Sequence, residues 1–148
     1  MKRVLIATDG SDHALKAAEL GAELAIKMDG AELHILAVAY YELSEEVELR
    51  KFAQIEHLDG GLLNAAHALA QGHVERARLK AEAKGAKTIK TSVAAGDPAE
   101  QILAYITANT IDAVVVGRRG KGRIAGLLLG SVSQKLATLA PCIVIICP

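Results

Sequence analysis

Five short apolar runs alternate with longer segments whose apolar residues recur every three or four positions, and this alternation limits the possible folds most. The runs span residues 3–8, 31–39, 87–95, 112–117 and 142–147. Most of them are nearly continuous in apolar residues, as strands covered on both faces are. The alternation therefore predicts a doubly wound, three-layer α/β/α fold around a five-stranded parallel sheet.

The segments between the strands carry helix start and stop signals. Ser11 is placed to cap the first helix, and Asp97 with Glu100 three residues later forms a capping box for the third. Asp29-Gly30 and Gly85 follow the first and second helices as stops. The predicted helices span residues 11–28, 62–84, 97–109 and 131–139.

The segment 40–61 is acidic and less clear than the rest. A further helix is predicted to start from a Ser44 cap, and Asp59-Gly60-Gly61 would break it. This segment is longer and more acidic than a minimal domain of this kind needs. A lid, a surface for a protein partner and a solvated helix all remain open for it.

Composition excludes several classes of function. The 148 residues suit a single domain, 1–148, and 51% are hydrophobic, but only 3% are aromatic and the net charge is zero. Neither the basic field nor the stacking platforms of a nucleic-acid-binding protein are present, so no nucleic-acid partner is expected. The chain also has no run of about 18 apolar residues and no recognisable secretion signal. We therefore expect a cytoplasmic protein that does not insert into membranes.

Positive charge is concentrated near the C-terminus, which favours a small anionic ligand. Residues 113–148 hold five Lys and Arg and no Asp or Glu. Four of these cations lie in the glycine-rich connection that follows the fourth strand. Arg119 and Arg123 are slightly better phosphate candidates than Arg118 and Lys121, for which a solvated position is the alternative, and the ranking of the four stays open. The five histidines lack the spacing of metal ligands.

Two chain segments predict a mononucleotide site where the winding of the sheet reverses. Asp9 follows the first strand, and its carboxylate can accept hydrogen bonds from ribose hydroxyls. Glycines after the fourth strand let backbone N–H groups approach phosphate oxygens, and Gly130-Ser131 opens a helix whose N-terminus favours an anion. A Walker loop is excluded because Gly122 follows Lys121, and a dinucleotide fingerprint is excluded because no such glycines follow the first strand.

These glycines carry a resemblance to a known family. Gly117, two residues, Gly120, nine residues and Gly130-Ser131 resemble the nucleotide-binding signature of the universal stress protein family, in its ATP-binding branch. The opening RVLIATDGS, the GDPAEQI helix start and the closing strand also resemble that family, so the likeness covers the whole chain. It implies a strand order of 3-2-1-4-5 and ATP at the reversal point.

The resemblance also implies contacts for the nucleotide, residue by residue. Asp9 would lie near the ribose, Val38 would contact adenine through its backbone, and any Mg²⁺ or Mn²⁺ would be held mainly by the phosphates. The full set for adenosine and adenine would be Ala7, Thr8, Asp9 and Val38. The set along the phosphates would be Gly117, Arg119, Gly120, Gly130, Ser131, Val132 and Ser133.

Function and assembly follow as expectations from the same resemblance. The leading one is an ATP-binding stress-response module with at most slow hydrolysis, no assigned catalytic residue, and a protein partner still to be found. Its rivals are an adenine-nucleotide α-hydrolase and a nucleotide-free interaction protein. The apolar strand 142–147 lies at a sheet edge, and family members usually form homodimers through it. Its Cys142 and Cys147 point to opposite faces and are expected to be reduced.

Overall fold

The computed structural model describes residues 1–120 and 129–148, and it confirms the predicted architecture. Five strands form one parallel sheet in the order β3-β2-β1-β4-β5. The central strand β1 is completely shielded from solvent at Val4, Leu5 and Ile6. The strands are β1 (Arg3–Ala7), β2 (Glu32–Ala39), β3 (Ile89–Ala95), β4 (Ala113–Gly117) and β5 (Ile143–Cys147).

Helices cover both faces of the sheet. Three of them pack on one face with Val4, Ile6 and Val115, and the other two pack on the opposite face with Leu5 and Val114. The first group is α1 (Asp12–Lys27), α2 (Glu46–Ile55) and α3 (Gly61–Ala83), and the second is α4 (Pro98–Ala108) and α5 (Ser131–Leu139). Among the described residues, no helix is both long and apolar enough to cross a membrane.

Most of the predicted helix signals act as expected. Ser11 Oγ accepts the N–H of Ala14 at 3.2 Å, and the Asp97 carboxylate accepts the N–H of Glu100 at 3.1 Å. Asp29 and Gly85 both have positive φ directly after a helix. These contacts satisfy backbone groups that a helix end leaves without intrahelical partners.

The predicted Ser44 cap is wrong. A 3₁₀ turn at Leu43–Glu45 precedes α2, so Ser44 lies inside the turn. Glu42 caps this turn instead, because its backbone N–H donates to the Glu45 carboxylate at 2.8 Å while its own side chain accepts the N–H of Glu45. A pair of glutamates therefore caps the turn that leads into α2, and α2 itself begins at Glu46 without a side-chain cap. The break at Gly60 and Gly61 is confirmed, since both have positive φ.

Close packing of α1 on the sheet depends on Gly21. A Cβ atom placed there would lie 2.6 Å from Ile6 Cγ1 and 2.9 Å from Ile6 Cδ1, inside normal contact. Gly72, in α3, has no heavy atom within 4 Å of the equivalent position. The two helical glycines therefore form a matched pair with opposite expected responses to substitution.

Gly21→Ala should lower the free energy of unfolding by about 1 kcal/mol, because overpacking costs about 1–3 kcal/mol and outweighs the helix-propensity gain of about 1 kcal/mol. Gly72→Ala should raise it by about 0.5–1 kcal/mol, since only the propensity gain applies. Urea denaturation of both variants measures the difference. If Gly21→Ala were also stabilising, the packing of α1 on β1 would be looser than described.

Candidate functional site

Direct pairing of β1 with β4 brings the predicted site residues together. Ala7 pairs with Val116 in register, so the chain leaves both strands at the same sheet edge. The amino ends are also fixed, since the Asp112 carboxylate accepts the N–H groups of Lys2 at 2.7 Å and Arg3 at 2.9 Å. These hydrogen bonds hold the pKa of Asp112 below its usual value. Asp9 and Gly117 therefore start two adjacent turns.

The turn after β1 is held by its own side chains. Thr8 is buried, and its hydroxyl accepts the N–H of Gly10 at 3.2 Å. Asp9 Oδ1 accepts the N–H of Ser11 at 3.0 Å. Gly10 has a φ of +78°, which a residue with a side chain rarely adopts. The Asp9 carboxylate is thereby fixed at the start of α1.

Gly117 and Gly120, two of the three signature glycines, are needed because neighbouring protein atoms occupy the space of a side chain. A Cβ atom at Gly117 would lie 2.8 Å from both the carbonyl carbon and the Cβ of His13. A Cβ atom at Gly120 would overlap Asp9 Oδ2. Gly117 thus lets the first turn of α1 pack on β4, and Gly120 lets the Asp9 carboxylate approach the loop backbone.

Arg118 joins the loop to both β5 and α5 through its backbone. Its N–H donates to the Cys147 carbonyl at 2.7 Å, and its carbonyl accepts the Gly130 N–H at 2.8 Å. The same carbonyl accepts from Ser133 Oγ at 2.9 Å. The start of α5 is consequently held against residues 118–120, so the two halves of the glycine signature meet in space.

Three side-chain nitrogens at this edge are buried without a hydrogen-bond partner. Within the described residues they are His13 Nδ1, Arg118 Nε and Arg119 Nε. An arginine Nε always carries a proton, so each arginine here buries a donor that has no acceptor. Unsatisfied buried donors are rare in proteins and call for an explanation. An anionic ligand that accepts from both arginines fits this arrangement.

The other predicted residues lie around this centre. Ala7 is buried, Ser131 is exposed on the first turn of α5, and Val132 packs beside the buried Ser133. Val38 is half-buried near the end of β2. On the α3 side of the sheet, a hollow of about 320 Å³ is lined by Ala39, Gly60, Leu63, Asn64, His67 and Ala95, whereas the Val38 side chain packs on the opposite face. Lys121 and Arg123 lie outside the described residues.

Sequence reasoning missed His13 and underrated Arg118. His13 follows a turn and lies in a helix, and no spacing rule marks it; only the register of β1 on β4 places it against Gly117. The sequence ranks Arg118 slightly below Arg119 and leaves a solvated position open for it, whereas in the structure it is half-buried with its Nε enclosed. No three histidine, cysteine or acidic side chains of the described ranges converge as metal ligands would.

Comparison with known sequences establishes the family. A profile of the Universal stress protein family matches residues 1–148, and the chain belongs to that family. It is 34% identical over 145 residues to the universal stress protein YxiE of Bacillus subtilis, with 97% of both chains covered. It is 36% identical over 146 residues to a universal stress protein of Thermus aquaticus, covering 98% of this chain and 97% of the relative.

Solved structures share the fold. The universal stress protein UspA of Lactobacillus plantarum has a TM-score of 0.77 at 24% identity, covering 99% of this chain and 97% of its own. A universal stress protein in complex with cAMP gives 0.71 at 24% identity, with the same coverage. One from Archaeoglobus fulgidus in complex with dAMP gives 0.70 at 19% identity, covering 100% and 98%. The strand order 3-2-1-4-5 implied by the resemblance is confirmed.

The contrast between Gly117 and Gly130 gives a stability test. Gly117→Ala should lower the free energy of unfolding by about 1–3 kcal/mol, because the new methyl group meets α1 backbone at 2.8 Å, which side-chain rotation cannot relieve. Gly130→Ala should cost less, about 0.5–1 kcal/mol, since the nearest atom is 3.4 Å away and the loss comes only from alanine being a poorer N-cap for α5. Thermal denaturation compares the two. Equal midpoints would contradict the described seating of α1 on β4.

Proposed function

We propose that this chain binds an adenine nucleotide, ATP in particular, at the carboxyl ends of β1 and β4. It would act as a cytoplasmic stress-response module whose signal depends on the bound nucleotide. The observation that carries the proposal is the pair of buried Nε donors on Arg118 and Arg119, which lack acceptors in the described structure. A triphosphate supplies charged acceptor oxygens, and charge-assisted hydrogen bonds of this kind are about twice as strong as neutral ones. The solved family members that hold cAMP or dAMP also support an adenine nucleotide.

The proposed contacts divide along the nucleotide. Adenosine lies by Ala7, Thr8 and Asp9, with Asp9 near the ribose, and adenine meets the Val38 backbone near the end of β2. The phosphates follow the start of α5, where free N–H groups favour an anion. Their proposed set is Gly117, Arg118, Arg119, Gly120, Gly130, Ser131, Val132 and Ser133. A Mg²⁺ or Mn²⁺ ion would be held mainly by phosphate oxygens.

Slow hydrolysis is the most that this site supports. Donors around the phosphates stabilise negative charge that develops in a transition state. Asp9 is assigned to the ribose, at the other end of the nucleotide from the γ-phosphate, so it is no candidate for activating water there. The α-hydrolase alternative needs a phosphate loop directly after β1, but that turn holds a single glycine, Gly10, whose N–H is already bonded to Thr8.

ATP binding is tested by Gly130→Asp, which should lower ATP affinity at least about 100-fold because a carboxylate replaces the phosphate at the helix start. Gly72→Asp is the matched control, since it adds the same side chain to an unobstructed glycine of α3. Calorimetry gives the two dissociation constants. Denaturing the purified protein and separating the supernatant by ion exchange identifies any nucleotide carried through purification.

The outcomes separate the three functions. ATP bound by the wild type and by Gly72→Asp but not by Gly130→Asp supports the proposal. A wild-type protein that neither carries nor binds nucleotide contradicts it and favours the nucleotide-free interaction protein. Stoichiometric release of pyrophosphate from ATP favours the α-hydrolase.

We further propose a homodimer through β5. This strand is at the sheet edge next to β4, and Ile143 is 53% exposed although it belongs to an apolar strand. An unprotected apolar edge invites pairing with a second chain, and a two-fold axis would close the assembly.

Ile143→Lys should convert the dimer to a monomer, because a charge would be placed in the strand interface. Leu139→Lys is the control, since Leu139 is also exposed but ends α5 instead of lying in the strand. Light scattering after size exclusion at micromolar concentration gives the mass. A monomeric wild-type protein would overturn the proposed assembly.

A further inference from the structure

Helix α3 reaches the turn that carries Asp9. It runs beside α1, and ion pairs join the two helices where Lys80 meets Glu19 at 3.3 Å and Lys84 meets Glu23 at 3.0 Å. One to two turns earlier in α3, His73 and Arg76 lie against Gly10, directly before α1 begins. The sequence gives no sign of this meeting, because the residues are more than 60 positions apart.

The contact between α3 and Gly10 is close. A Cβ atom on Gly10 would overlap the His73 imidazole and lie 2.7 Å from the Arg76 terminal nitrogen Nη2. His73 is buried, with 7% of its surface exposed. Gly10 is therefore required twice, once for its positive φ and once because His73 occupies the space of a side chain.

Arg76 fixes the state of the His73 ring. Its Nη2 lies 2.6 Å from His73 Nδ1. A guanidinium group has only donors, so Nδ1 must accept, and the ring proton must be on Nε2. A charged donor from Arg76 thus holds the neutral ring in one orientation beneath Gly10.

We propose that His73 and Arg76 are positioning residues for the nucleotide site. The turn is clamped between two elements: His73 packs on Gly10 from α3, and the Asp9 carboxylate fills the space at Gly120 in the loop after β4. Removing the support from α3 frees Gly10 to move and takes the Asp9 carboxylate away from the ribose. This inference rests on the proposed function, and it adds two residues from a helix outside the glycine signature.

The test is the affinity of Arg76→Leu for AMP and for ATP. Because Asp9 is assigned to the ribose, which AMP and ATP share, both dissociation constants should rise by the same factor, about 10-fold. Arg76→Lys keeps a charged donor and should recover most of the affinity. Arg78→Leu is the control on the same helix, since Arg78 pairs with Glu75 and Glu82. Arg76 is exposed, so both of its variants should fold, and thermal denaturation checks the folding of all three variants.

A double variant tests the pathway through His73. His73→Leu removes the acceptor, so it should weaken AMP and ATP binding about as much as Arg76→Leu, and the two changes together should cost no more than either alone. Additive losses would overturn the shared pathway, as would a loss for ATP without one for AMP, which would make Arg76 a direct phosphate ligand. If the wild type and Arg76→Leu bound each nucleotide with equal affinity, only the positioning role would be overturned. If the wild type bound neither nucleotide, the proposed function would be overturned as well.

Discussion

The pairing of β1 with β4 is the interaction on which the candidate site depends. These strands are neighbours in the sheet although more than 100 residues separate them in the chain, and their register aligns Ala7 with Val116. The register alone decides that Asp9 meets Gly120 and that His13 meets Gly117. A register shift of β1 on β4 would carry Asp9 away from Gly120 and His13 away from Gly117, so the site depends on this register.

The glycine signature has a mechanical role besides any contact with ligand. Gly117 admits α1, Gly120 admits a carboxylate, and the Gly130 N–H ties α5 to the Arg118 carbonyl. The Ser133 hydroxyl, proposed for phosphate, already donates to the carbonyls of Arg118 and Gly130. Several of the protein's own hydrogen bonds therefore shape this edge, while two arginine Nε donors are buried without acceptors among residues 1–120 and 129–148. Such donors cost free energy unless a bound anion satisfies them.

The sequence was sufficient for the type of the strands and helices and their succession along the chain, because apolar periodicity and cap residues are local signals. The order of the strands within the sheet came from the resemblance to the family. Asp9 and the glycine signature could be identified in the same way, as they follow strands directly. The Glu42 cap could not, since carboxylate capping by a pair of glutamates competes with the commoner hydroxyl cap at Ser44. His13 reaches the site because α1 packs on β4, and Arg76 and His73 reach it because α3 packs on the turn before α1. No short-range pattern records which turn of α3 faces Gly10.

The central claim is that the Nε–H groups of Arg118 and Arg119 donate hydrogen bonds to the phosphate oxygens of the nucleotide. Arginine Nε–H resonances, followed by ¹⁵N–¹H NMR during titration, test it most directly. ATP should shift both resonances strongly and slow their exchange with water, whereas adenosine, which has no phosphate, should leave them in place. Arg78 Nε already donates to Glu75 at 2.9 Å and should not respond to either ligand. Saturation with ATP that left the Arg118 and Arg119 resonances unchanged would contradict the account.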